Sequence, residues 1–120
     1  MRHLQGIRTP AGEYVADVDA CAALSATTLF RPPHGLLTPR QLRELRKRYK
    51  VVMYDVVTRD YSSRLAPADV VENVRRFARP GSIIVFHDSL KALPRLRQAL
   101  PESIEWLMSQ GYEFAALPMD

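Results

Sequence analysis

The run Ile83-Ile84-Val85-Phe86, ending on His87-Asp88, constrains this chain more than any other stretch. Four consecutive apolar residues, three of them β-branched, predict a strand buried on both faces, because a half-exposed strand would alternate apolar with polar. A buried parallel strand that ends on ionisable side chains delivers them to its carboxyl end, where α/β proteins build their sites. By itself the His-Asp pair fits equally a polar strand end that caps the next helix.

The flanking sequence alternates helix and strand. Thr9-Pro10 reads as a cap and first helical residue, with Tyr14, Val15, Val18, Cys21 and Ala22 on one face to about Leu24. Thr28–Phe30 is a short strand running into Arg31-Pro32-Pro33-His34-Gly35, where prolines and glycine end regular structure. Thr38-Pro39-Arg40-Gln41 is a capping box opening a helix with Leu42, Leu45 and Tyr49 inward. Val51–Val57 is the next strand, ending near Thr58-Arg59-Asp60-Tyr61. Pro67 opens a helix with Val70, Val71, Val74 and Phe77 as its inner stripe, and Arg79-Pro80-Gly81 breaks it. Leu93, Leu96 and Leu100 suggest a helix with Pro94 in its first turn. Pro101 restarts it with Ile104, Leu107 and Met108, and Gly111 fits the left-handed end position. Tyr112–Leu117 is expected as the last strand. This order implies about four helix–strand units and a mainly parallel sheet. The clusters Arg31–Gly35, Asp60–Tyr61 and His87–Asp88 all follow strands and so gather at one sheet edge.

A length of 120 residues supports one modest domain, taken as residues 1–120. No stretch reaches the roughly 20 apolar residues of a membrane span, and the opening residues lack the apolar core of a signal peptide. The single Cys21 excludes an internal disulfide and any cysteine-rich zinc site, and its helical neighbours Val18 and Ala22 make it a packing residue. The net charge is +4, but its densest cluster, Arg40, Arg43, Arg46, Lys47, Arg48 and Lys50, reads as a solvated helix face. No nucleic-acid motif accompanies it, and a nucleic-acid partner is not expected.

The three strand-end clusters, in this order, resemble those of the polysaccharide deacetylase family, the NodB-homology or carbohydrate esterase family 4 domain. Phe30-Arg31-Pro32-Pro33-His34-Gly35 resembles its R-P-P-Y-G motif. Asp55–Tyr61 resembles the next motif, which usually ends Asp-Trp. Ile84-Val85-Phe86-His87-Asp88 matches Leu-x-x-His-Asp with isoleucine for leucine. Met1–Gly6 looks like the tail of a His-x-x-x-His motif with His3 as its second histidine. The family's Thr-Phe-Asp-Asp-Gly motif is absent, and no Asp-Asp pair occurs in the chain.

The resemblance implies an incomplete irregular (β/α) barrel of the seven-stranded type, this chain being its C-terminal portion. It implies hydrolysis of N-acetyl groups on amino-sugar polymers by a metal-activated water, with zinc the common metal. His3 matches one metal ligand, and a lone histidine should bind metal only weakly, so no tightly held metal is expected in this chain. His87 matches the general acid that protonates the leaving amine, and Asp60 the carboxylate that orients it. Arg31 matches the arginine that pairs with the general base; with that base missing, Arg31 is expected to stand unpaired. The backbone N–H at His34 matches the oxyanion donor, and Pro33, Tyr61 and Ile84 match groove or acetate-pocket positions. The expected partner is an N-acetylated carbohydrate. An unclosed sheet would favour self-association, and family members are often extracellular. A non-catalytic sugar-binding relative and a basic α/β interaction domain are the competing readings.

Overall fold

Thr38 starts its helix through its own side chain: Oγ1 accepts from the Gln41 N–H at 3.2 Å, and Gln41 Oε1 accepts from the Thr38 N–H at 2.9 Å. The capping box read from the sequence is therefore formed, with Pro39 at the first helical position. The structure is a computed structural model that describes residues 2–119. Met1, which opens the stretch compared with the paired-histidine motif, lies outside the described residues. The described residues form four α-helices, α1 (Ala11–Ser25), α2 (Pro39–Leu45), α3 (Pro67–Phe77) and α4 (Leu93–Ser109). They alternate with short strands β1 (Leu29–Phe30), β2 (Lys50–Val51), β3 (Val56–Val57) and β4 (Ile84–Val85). The strands form two parallel pairs, β1 with β2 and β3 with β4. The chain divides into two compact units, Met1–Met53 with Ala116–Asp120, and Tyr54–Ala115.

In the first unit Tyr14 and Val18 of α1 and Leu45 of α2 are buried together, with Phe30 and Val51 of the strand pair packed against them. Helical spacing predicted that face of α1, although the helix begins at Ala11, one residue later than expected. Thr9 does not cap it; its hydroxyl donates to the Gln5 carbonyl at 2.8 Å instead. The Tyr14 ring is buried and its hydroxyl lacks a partner among the described residues. Burial, with the nearby Asp17 charge, pushes that hydroxyl's pKa up. Gln41 is also fully buried, and its amide donates to the carbonyls of Gly6 at 2.7 Å and Thr9 at 2.9 Å. A Cβ on Gly6 would lie 2.6 Å from the Leu36 carbonyl oxygen, so only glycine fits this close approach.

In the second unit Val70 and Val71 of α3 and Ala99 of α4 form the core, with Leu65 and Phe86 against it, and Val56, Val74 and Val85 are also buried. Phe77, expected on the inner stripe, is instead 53% exposed at the last turn and lies beside the Arg76 guanidinium. The run around residues 83–86 is not buried on both faces: Val85 is buried, while its neighbours are half-buried. Pro101 does not restart a helix. It sits inside one continuous α4, which tolerates the single lost backbone donor. That helix closes as predicted: Gly111 takes φ 85, its N–H donates to Met108 and the Tyr112 N–H to Leu107, both across about a turn.

Two strand predictions fail. Val51–Val57 is not one strand. Its first part pairs with β1, and after an irregular stretch its last part pairs with β4. The switch occurs at Asp55, whose carboxylate accepts from the Ser82 hydroxyl at 2.9 Å and the Ile83 N–H at 2.8 Å. Tyr112–Leu117 is not a strand either; among the described residues no strand offers it a ladder. Beyond it, side chains hold the tail: Thr28 Oγ1 donates to the Met119 carbonyl at 2.6 Å and Lys50 Nζ to that of Pro118 at 2.9 Å. No helix of the described residues is long and apolar enough to cross a membrane.

Candidate active site

In the second unit, parallel pairing of β3 with β4 sets Val56 opposite Ile84 and Val57 opposite Val85. Two parallel neighbours end at the same edge, so the loops after them meet. Asp60 arrives from one and His87 from the other. Oδ1 of Asp60 lies 2.7 Å from His87 Nδ1, and Oδ2 accepts from the His87 backbone N–H at 2.7 Å. Asp60 is fully buried, whereas the His87 side chain is 35% exposed. A buried carboxylate is tolerable when donors face both oxygens. A carboxylate only accepts, so a hydrogen bond between it and this ring nitrogen requires the hydrogen on Nδ1. That leaves Nε2 as the ring nitrogen available to an incoming group. The Tyr61 ring stands edge-on to the imidazole at 5.1 Å between centroids and forms an aromatic wall beside it. Ile84 is a half-buried strand residue below this edge.

The loop that presents Asp60 is held by Thr58 of its own motif and by two residues, Asn73 and Arg95, that motif reading missed. Thr58 is buried, and its hydroxyl donates to the Val85 carbonyl at 2.8 Å. Asn73 of α3 donates to the Thr58 carbonyl at 3.0 Å. Arg59 occupies the left-handed region at φ 61. Arg95 of α4 donates through Nε to the Asp60 carbonyl at 2.6 Å. Nothing in the local sequence marks Asn73 or Arg95, because each bonds backbone far away in the chain.

In the first unit, Arg31-Pro32-Pro33-His34-Gly35 follows β1 as expected. Pro32 is buried, Pro33 half-buried, and Arg31 and His34 are exposed. His34 and Gly35 both adopt left-handed backbone, at φ 58 and φ 69. The N–H groups of Gly35 and Leu36 turn back to the carbonyls of Pro32 and Pro33. No backbone carbonyl of the described residues accepts from the His34 N–H, and the two prolines before it have no N–H of their own. The His3 and His34 rings meet edge to face, 5.5 Å between centroids. The expectation that Arg31 stands unpaired is corrected: it has an interaction partner in the structure.

The metal implied by the sequence resemblance does not fit what is present. Two imidazoles packed edge to face do not form a ligand set, and among the described residues no three His, Cys, Asp or Glu side chains come together to hold an ion.

Comparison with solved structures gives the architecture a family. The Bc1960 peptidoglycan N-acetylglucosamine deacetylase superposes with a TM-score of 0.89 at 23% identity, over 98% of this chain and 58% of that one. The fold is that of the family 4 carbohydrate esterases. Peptidoglycan deacetylase PdaC from Bacillus subtilis superposes with a TM-score of 0.74 at 25% identity, over 93% of this chain and 55% of that one. A pseudoenzyme of the same esterase family from Bacillus anthracis gives 0.80 at 23% identity, over 93% and 41%. This chain therefore spans only about half the length of the esterase-fold chains it matches. No family model matches the chain, and no curated protein does.

Proposed function

We propose that the chain carries the proton-delivering part of a deacetylase that removes N-acetyl groups from an amino-sugar polymer. The observation that carries this reading is the Asp60–His87 pair, a buried carboxylate holding Nδ1 of a partly exposed imidazole at 2.7 Å. Amide hydrolysis stalls unless the departing amine gains a proton, and an imidazole is the side chain best suited to deliver one near neutral pH. Asp60 fixes the ring so that Nε2 faces the reacting bond. Tyr61 offers a flat apolar wall for the acetyl methyl or the sugar face, with Ile84 as a further groove residue. The role of donor to the oxyanion, the former carbonyl oxygen of the acetamide, comes to the His34 N–H from the sequence resemblance alone; no backbone carbonyl of the described residues accepts from it. Arg31 is assigned to orient the general base, which this sequence does not supply.

Activation of the attacking water is not assigned to any residue here. We assign it, and the metal for which His3 would be one ligand, to the part of the domain that the matched esterases have beyond this chain's span. Residues 1–120 then form one portion of a single domain, the C-terminal part of an irregular seven-stranded (β/α) barrel. The second reading is a sugar-binding relative without catalysis. It is favoured by the neighbour described as a pseudoenzyme.

The test is acetate release from an N-acetylglucosamine oligomer by a protein in which an Asp-Asp segment and a paired-histidine motif precede residue 2. Release that disappears when Asp60 is changed to Ala supports the deacetylase. Binding of the oligomer with no release supports the second reading, and neither binding nor release removes both.

A further inference from the structure

We propose that Arg95 is a positioning residue for the Asp60–His87 pair, fastening the two loops that carry it. The inference rests on the deacetylase-like reading of that pair. Asp60 and His87 reach each other from separate loops, and backbone pairing between the strands reaches only to the Thr58 N–H, which donates to the Val85 carbonyl at 3.4 Å. Proton delivery requires the donor held within about 0.5 Å of its productive position. The loop after β3 has a turn bond of its own across Asp60, from the Ser62 N–H to the Arg59 carbonyl at 2.9 Å, and it closes on a strained residue. Arg59 sits at φ 61, where a residue with a side chain is strained, and relaxation of that residue would swing Asp60.

Arg95 adds a restraint that ties this loop to the one after β4. Its Nε donates to the Asp60 carbonyl at 2.6 Å, and its Nη2 donates to the Lys91 carbonyl at 2.5 Å. Lys91 lies in the turn after β4, four residues past His87. One planar guanidinium thus closes a carbonyl from each loop, a geometry its rigid fork suits and a single ammonium does not. The Lys91 contact alone would be an ordinary bond within a helix start. The Asp60 contact spans 35 residues of sequence and has no such local explanation. Asn73 restrains Thr58 on the other side of Arg59, so the strained residue is pinned from both flanks.

The test is NMR on the chain itself, following the His87 ring Nδ1–H and the His87 backbone amide, both of which face the Asp60 carboxylate. Asp60→Asn defines the positions of these resonances when the carboxylate is gone. Arg95→Met is expected to move both resonances toward those positions. Arg95→Lys, which keeps one charged donor but loses the fork, is expected to move them less. A folded Arg95→Met with both resonances at their wild-type positions overturns the proposal. If Arg95→Met does not fold, a folded Arg95→Lys with unmoved resonances overturns it equally. A purely structural role would lower the melting temperature and leave these two signals in place. Failure of the deacetylase reading appears instead as missing acetate release and leaves these signals as they are.

Discussion

Residues 54–115 and residues 1–53 are both built from helices over a short parallel strand pair, yet they treat their strand-end residues differently. In the former, β3 and β4 both end in polar clusters, so parallel pairing forces Asp60 and His87 together, and the buried carboxylate then locks the ring. In the latter, β1 ends in Arg31–Gly35 but β2 runs on into Val52 and Met53, with no polar cluster to answer it. What stands out there is backbone: two successive left-handed residues and an N–H with no backbone acceptor among the described residues. The difference teaches that a polar strand end becomes a defined device when its hydrogen-bonded neighbour ends the same way. A single such end gives only a shaped turn.

Stability variants sharpen this contrast. Leu45→Ala should cost the first unit the most, about 2–5 kcal/mol, because a fully buried leucine leaves a cavity that its aromatic neighbours Tyr14 and Phe30 cannot collapse into. Denaturant unfolding measures it; a loss near zero would mean that this core is not packed as described. Gln41→Leu should cost about 1–3 kcal/mol by orphaning the Gly6 and Thr9 carbonyls. Thr38→Ala should cost about 1 kcal/mol, the usual worth of a capping hydroxyl, and less than Gln41→Leu in the same assay. The reverse order would show that the amide is not what holds the segment before α1.

The smallest effect belongs to Asp55, at the point where the chain passes from one strand partner to the other. The Ser82 hydroxyl and then the Ile83 N–H hold its carboxyl below the usual carboxylate range. A lowered folded-state pKa contributes stability above the ordinary carboxylate value, and that contribution is lost as pH falls through the folded value. Wild type should therefore exceed Asp55→Asn in stability near neutrality, and the gap should close on acidification. A gap that stays constant with pH would remove the carboxylate from the account of that switch.

The sequence made some of this legible and left some hidden, for identifiable reasons. Caps and terminators act through neighbours in sequence, so Thr38, Gln41, Pro39 and Gly111 were readable and are found in their expected places. Strand extents were not. A strand exists only where a partner supplies a ladder, and neither the Asp55 break nor the lack of a partner for Tyr112–Leu117 is written locally. The polar clusters were visible as strand ends, and the second unit brings Asp60, Tyr61 and His87 together. The groups that hold those loops, Asn73 and Arg95, were not visible, because a side chain that binds distant backbone leaves no motif.

The most direct measurement of the central claim compares one variant from each unit in the acetate-release assay with the upstream segment in place. His87→Asn can keep a donor toward Asp60 but cannot deliver a proton, whereas His34→Gly keeps the backbone N–H and suits its left-handed φ of 58. The account predicts a fall in turnover of about a hundred- to ten-thousandfold for His87→Asn and near wild-type turnover for His34→Gly. An active protein in which His87→Asn keeps its rate while His34→Gly loses it would contradict the assignment of chemistry to the Asp60–His87 pair.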